Sequence, residues 1–118
     1  MALSNAYVTP EPAREDIDAL EAPTVLEFST AWCGHCQAAQ PFIAASFAEY
    51  PQICHLKVED GRGRPLGRSF GVKLWPTLVF LTCGREVARL VRPESAAVIR
   101  EAMRKIAGQA ETGEHPEG

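Results

Sequence analysis

No run of apolar residues in this chain approaches the ~18–20 needed to cross a bilayer. The first ten residues, Met1 to Pro10, carry neither a basic cluster nor a long apolar stretch. Neither a membrane span nor an export leader is expected, and a cytoplasmic protein is. The basic excess that nucleic acid demands of its partners is also missing: 12 basic residues face 15 acidic ones, for a formal charge of −3, whereas DNA and RNA binders need a net basic face to displace counterions. There is no internal repeat and no low-complexity block. Cysteine is sparse and unevenly placed, with Cys33 and Cys36 three apart and Cys54 and Cys83 isolated. That is not the pattern of a structural disulfide framework; it points to one reactive pair and two bystanders. What is abundant is apolar material. Hydrophobic residues make up 46% of 118 positions, enough for one domain with its own core.

The pattern along the chain predicts alternating helices and strands. Residues 1–10 read as a polar lead-in with a short strand at Tyr7-Val8. Pro12 to Leu20 reads as a helix with Pro12 in its first turn and Ile17 and Leu20 on a buried stripe. Thr24 to Ser29 is a strand, apolar but for Glu27. A helix runs from Cys33 to about Tyr50, with a kink expected at Pro41. Ile53 to Val58 is a second strand. After the loop Gly61-Arg62-Gly63-Arg64 comes a short helix, Pro65 to Phe70, with Gly71 as its C-cap. Thr77 to Leu81 and Glu86 to Val91 are strands joined by a tight turn at Cys83-Gly84. Pro93 to Ala107 is the last helix, with Val98, Ala102, Met103 and Ile106 as its apolar stripe and Gly108 as its stop. Residues 11–107 form the domain, and residues 108–118 are expected to be a disordered tail. This order implies an α/β fold: a mixed sheet, parallel across the βαβ unit and antiparallel at the hairpin, flanked by helices on both faces.

Two cysteines three apart at the start of a helix have a physical logic. The free N–H groups of the first turn and the positive end of the helix dipole favour a thiolate at Cys33. Such a thiolate can attack a disulfide, and Cys36, one turn on, can attack Cys33 in turn. Gly34 and His35 keep the loop tight, and a protonated His35 would favour the thiolate further, shifting the couple toward oxidising character. The competing reading is half of a zinc site. Its other half would have to come from Cys54, Cys83, His55 or His115, and no second C-x-x-C or H-x₃₋₅-H exists, so no metal is expected.

Trp32-Cys33-Gly34-His35-Cys36, followed by Pro41 and later by Trp75-Pro76-Thr77 before an apolar strand, resembles the thioredoxin superfamily. The resemblance runs from about Pro12 to Ile106 and implies the thioredoxin-like fold. It implies that Pro76 is a cis proline beside the cysteines, that backbone groups of Trp75 pair with the substrate peptide, and that Trp32 helps form the docking surface. It makes Glu27 the buried acid that exchanges a proton with Cys36, the alternative being a wetter strand face shared by Val25, Glu27 and Ser29. It matches Lys57 to a lysine that pairs with that acid. Several positions depart from the family pattern: Ser29 stands where an aromatic is common, Trp75 where an aliphatic is usual, Arg92 where a glycine lines the groove, and Gln37 where lysine is common. Cys54 is expected to be a small buried hydrophobe, Cys83 an exposed incidental thiol, and His55 a structural residue.

The function so implied is protein-disulfide reduction through a Cys33–Cys36 dithiol/disulfide couple, with no bound cofactor, on disulfide-containing protein substrates. The resemblance also implies an NADPH-dependent flavoprotein reductase as electron donor, and a monomer is expected. Two alternatives stand beside it. One is a disulfide oxidase or isomerase, since Gly34-His35 and a glutamate at position 27 resemble protein disulfide isomerase. The other is a partner-docking module with redox chemistry secondary, motivated by Trp75 and Arg92.

Overall fold

The computed structural model describes residues 6–114, with side chains described as far as residue 107. Its elements are α1 (Arg14–Asp18), β1 (Thr24–Ser29), α2 (Gly34–Glu49), β2 (Cys54–Glu59), α3 (Pro65–Ser69), β3 (Thr77–Thr82), β4 (Arg85–Val91) and α4 (Ala96–Glu114). The sheet order is β2-β1-β3-β4. β1 runs parallel to β2 and antiparallel to β3, and β3 runs antiparallel to β4.

β1 lies inside the sheet and every one of its six residues is buried. Both of its faces are covered, which is why it reads as a nearly continuous apolar run rather than an alternation. Val25, Leu78 and Phe80 point to one side, where they pack with Ala39, Ile43 and Phe47 of α2 and Ile99, Met103 and Ile106 of α4. Leu26, Phe28, Val79 and Leu81 point to the other, against Ile17 of α1, Leu66 of α3, and Phe70. The period of two along each strand sorts the residues into these two cores. The second core is tied down at its edge: the Arg14 guanidinium stacks 3.8 Å above the Phe70 ring and donates to the Ser69 carbonyl at 2.8 Å.

Four expectations need correction. α4 starts at Ala96, where Ser95 Oγ accepts from the Val98 N–H, rather than at Pro93. Its buried stripe is Ile99, Ala102, Met103 and Ile106; Ala102, Met103 and Ile106 lie on it as expected, and Ile99 takes the place of Val98, which is exposed. Gly108 does not stop the helix, whose backbone continues to Glu114, because one glycine costs a helix only about 1 kcal/mol. Residues 109–114 are therefore helical rather than tail, and residues 115–118 lie outside those described. Cys54, on the edge strand β2, is half-buried rather than core. α2 runs through Pro41 as a single element. The Tyr7-Val8 segment forms one parallel bridge to β2, with the Val8 N–H donating to the Lys57 carbonyl at 2.8 Å.

The β3–β4 turn shows why the chain needs glycine there. Cys83 and Gly84 take φ of 50° and 76°, the two left-handed residues of a tight hairpin turn. A Cβ on Gly84 would lie 2.0 Å from the Asp18 carbonyl oxygen, which is backbone. Gly84→Ala is expected to destabilise the fold by at least the ~1–2 kcal/mol of a left-handed non-glycine residue, with the contact to Asp18 adding to it. Urea unfolding of the two proteins measures the difference.

Candidate active site

β1 ends at Ser29, and after Thr30, Ala31 and Trp32 the chain enters α2 at Cys33. Cys33 is the N-cap. Its backbone is extended, and its Sγ accepts the N–H of Cys36 at 3.2 Å, taking a side-chain oxygen's usual capping role. The Cys33 S–H in turn reaches the Trp75 carbonyl oxygen at 3.8 Å. Both cysteines are buried and unbridged.

The two sulfurs are not equivalent. Burial, the hydrogen bond with Cys33 and the charges of Cys33 and Glu27 push the Cys36 thiol from its ordinary 9.0 up to about 12, with the Thr30 backbone opposing them. Cys36 therefore holds its proton at neutral pH. A group of this kind stabilises the fold only while it keeps that proton. Below about pH 9 the folded and unfolded chains both carry it, and between there and about 12 only the unfolded chain gives it up.

Glu27 sits in the middle of β1, in register with Lys57 on one side and Leu78 on the other. It is fully buried, and both of its oxygens are occupied. Oε1 lies 2.8 Å from His55 Nε2, and Oε2 accepts from Gln40 Nε2 at 2.9 Å. The same Gln40 nitrogen donates to the Cys36 carbonyl at 3.1 Å, so one amide links the carboxylate to the first turn of α2. His55 is itself fully buried, its ring packed 4.7 Å from that of Phe47. The expected Lys57–Glu27 pair does not form. The Lys57 ammonium lies over the Tyr7 ring at 5.1 Å, because the Tyr7-Val8 segment runs along β2 at Lys57 and leaves the deeper position to His55. Tyr7 also places its hydroxyl 3.1 Å from Ser29 Oγ. The lead-in thus supplies a ring at the position where β1 has serine, and burial raises the pKa of that phenol.

The remaining wall comes from two loops. The Trp75–Pro76 peptide bond is cis. The Trp75 indole N–H donates to Asp60 Oδ2 at 2.8 Å, and its ring meets that of Trp32 edge-on at 5.4 Å. Trp32 is 73% exposed. Arg92, with φ of 53°, donates its backbone N–H to the Pro76 carbonyl and its Nε–H to the Trp75 carbonyl, each at 2.9 Å. Gly34 and His35 are exposed in the first turn of α2, and His35 borders a cleft of about 400 Å³ together with Phe42, Arg92 and Glu94.

Of the residues singled out in the sequence, Cys33, Cys36, Trp32, Gly34, His35, Trp75 and Pro76 converge at one end of the sheet, with Glu27 beneath them. Gln40 and His55 were missed as partners of Glu27. Gln40 lies four residues after Cys36 and so on the same helix face. His55 lies two residues before Lys57 and so on the same strand face. Among the described residues, no three His, Cys, Asp or Glu side chains gather as they would around a metal ion.

The family model for thioredoxin matches residues 5–105. The chain belongs to the thioredoxin family. Thioredoxin 2 from Pseudomonas aeruginosa PAO1, solved in its reduced form, is 59% identical over 91% of this chain and 99% of that one, with a TM-score of 0.80. A thioredoxin from Nicotiana alata superposes with a TM-score of 0.67 at 27% identity, over 79% of this chain and 80% of that one. Among curated relatives, thioredoxin H-type 1 of Nicotiana tabacum is 33% identical over 57% of this chain and 53% of its own length. The thioredoxin of Chlamydia muridarum is 38% identical over 57% of this chain and 66% of its own length. The chain thus spans between about half and two thirds of the length of these two relatives.

Two outcomes follow for the buried groups. His55→Leu leaves Glu27 Oε1 without its partner inside the core and is expected to cost about 3–5 kcal/mol, whereas Glu27→Leu combined with His55→Leu costs less than His55→Leu alone. Denaturant titration of the three proteins checks this. The reduced protein is expected to lose stability as pH rises from about 9 toward 12, and Cys36→Ala to show a flatter profile over that range in thermal melts taken with a reductant present.

Proposed function

We propose that this chain is a protein-disulfide reductase working through the Cys33–Cys36 couple. The observation that carries the reading is the asymmetry of the pair: Cys33 caps the helix with its sulfur beside the Trp75 carbonyl, while Cys36 is held protonated behind it. Cys33, as thiolate, attacks one sulfur of a substrate disulfide. The substrate's S–S bond breaks, a mixed disulfide forms, and the other substrate sulfur leaves as a thiolate that takes up a proton. Cys36 then gives its proton to Glu27, whose charge already acts on it, and attacks Cys33. The mixed disulfide breaks, the second substrate thiol leaves with a proton, and Cys33–Cys36 becomes the disulfide. Two electrons pass from the dithiol to the substrate. Trp32, Gly34, His35 and Trp75 form the surface on which the substrate lies, with Pro76 shaping the turn.

The electrons that restore the dithiol come, in this reading, from an NADPH-dependent flavoprotein reductase. The protein acts as a cytoplasmic monomer without bound cofactor or metal. A second reading, as an oxidase or isomerase, is favoured by Gly34-His35 between the cysteines and by a glutamate rather than an aspartate at position 27.

The reduction potential of the Cys33–Cys36 couple in a glutathione buffer separates the two. The reductase reading expects a value near the ~−270 mV of thioredoxin, and a value between ~−180 and ~−120 mV sinks it in favour of the oxidising one. In parallel, Cys36→Ser is expected to accumulate a covalent Cys33–substrate species visible on non-reducing gels, and Cys33→Ser to lose turnover of a disulfide-bonded protein altogether.

A further inference from the structure

Arg92 is a cation at the site with no anion to meet. Its guanidinium makes one hydrogen bond, Nε–H to the Trp75 carbonyl at 2.9 Å. That leaves its two terminal nitrogens uncommitted. No carboxylate among the described residues comes within ion-pair distance of it, although Glu94 lines the same cleft. Five other arginines have carboxylate partners: Arg14 has Asp18, Arg64 has Glu59, Arg89 has Glu86, Arg100 has Glu49 and Arg104 has Glu101. Arg92 is also held in place. Its own N–H is fixed to the Pro76 carbonyl, and its backbone takes a left-handed φ of 53° that disfavours any side chain but is tolerated here.

The carbonyl that anchors the guanidinium is the one that accepts the Cys33 S–H. One oxygen therefore ties the free end of Arg92 to the neighbourhood of the nucleophile. Of the residues that line its cleft, the exposed Glu94 is the one carboxylate. A planar guanidinium with two free N–H edges matches a carboxylate, which it can bind through paired hydrogen bonds. An extended peptide advances about 3.4 Å per residue, so a side chain that reaches Arg92 belongs to a residue within about two positions of the cysteine under attack.

We infer that Arg92 is a specificity-determining residue, selecting protein disulfides that carry an aspartate or glutamate next to the attacked cysteine. This rests on the reductase reading above and names its substrate class.

Single-turnover reduction by the pre-reduced full chain tests it. Three fluorogenic peptide disulfides serve as probes, identical except for Glu, Gln or Lys beside the cysteine. The wild-type chain is expected to reduce the Glu peptide about three- to tenfold faster than the Gln peptide at low salt, a margin suited to a half-exposed charged contact, and to lose most of it at high salt. Arg92→Gln is expected to bring the ratio to about one. Arg92→Glu is expected to turn the preference toward the Lys peptide, which loss of a merely structural contact would not do. Equal rates on Glu and Gln peptides in the wild type, or a preference that survives in Arg92→Gln, overturns the inference and leaves the reductase reading standing. Failure of the wild type to reduce any of the three overturns both. Should Arg92→Glu not fold, as circular dichroism would reveal, the uncharged variant and the salt series still decide.

Discussion

Putting a carboxylate at the centre of a sheet is the constraint around which this site is arranged. Glu27 lies on the strand with both faces covered, where water cannot solvate it, and a buried anion without hydrogen bonds would cost more than the fold can spare. The chain meets this by bringing one partner from the neighbouring strand and one from the helix that carries the cysteines. His55 and Gln40 between them take both oxygens. Because Gln40 also holds the Cys36 carbonyl, satisfying the carboxylate fixes the first turn of α2 against the sheet. The dithiol is thus positioned from below by a polar network and from above by the Trp75 carbonyl.

The same arrangement makes the sulfurs unequal. Cys33 stands at the helix end, where an N–H points at it and an edge of the molecule is near. Cys36, one turn in, is buried and lies within the electrostatic reach of Glu27. Its thiol is driven toward the protonated form by burial first and by its neighbours second. The two residues between Cys33 and Cys36, Gly34 and His35, separate a group at an interface from one in a core, and sequential thiol chemistry needs that difference.

Much of this could be read from the chain before its structure. The order of the eight elements follows from where apolar periodicity changes from two to 3.6 and where Gly and Pro interrupt it. The cysteine pair is legible because three-residue spacing at a strand-to-helix junction has few other uses. The partner of Glu27 is another matter. It depends on which of two residues on one strand face goes deeper, and that was decided by Tyr7-Val8, a segment fifty residues away that draws Lys57 outward. The stripe of α4 is Ala102, Met103 and Ile106 as its spacing implies, but its first member is Ile99 and not Val98, because the two neighbours are equally apolar and only the packing of the core tells them apart. Arg92 was visible as an oddity, but not the shared carbonyl that gives it a place at the site.

The strand order β2-β1-β3-β4 also has a meaning in time. A ribosome releases Cys33 and Cys36 well before it makes β3, which closes the other side of β1, and before Trp75 and Arg92, which wall the sulfurs. Until then the pair has half a sheet beneath it and no carbonyl above. A newborn chain therefore carries the two sulfurs before it has the Trp75 carbonyl and the Arg92 side chain that wall them, and that wall is complete only once β4 has been added.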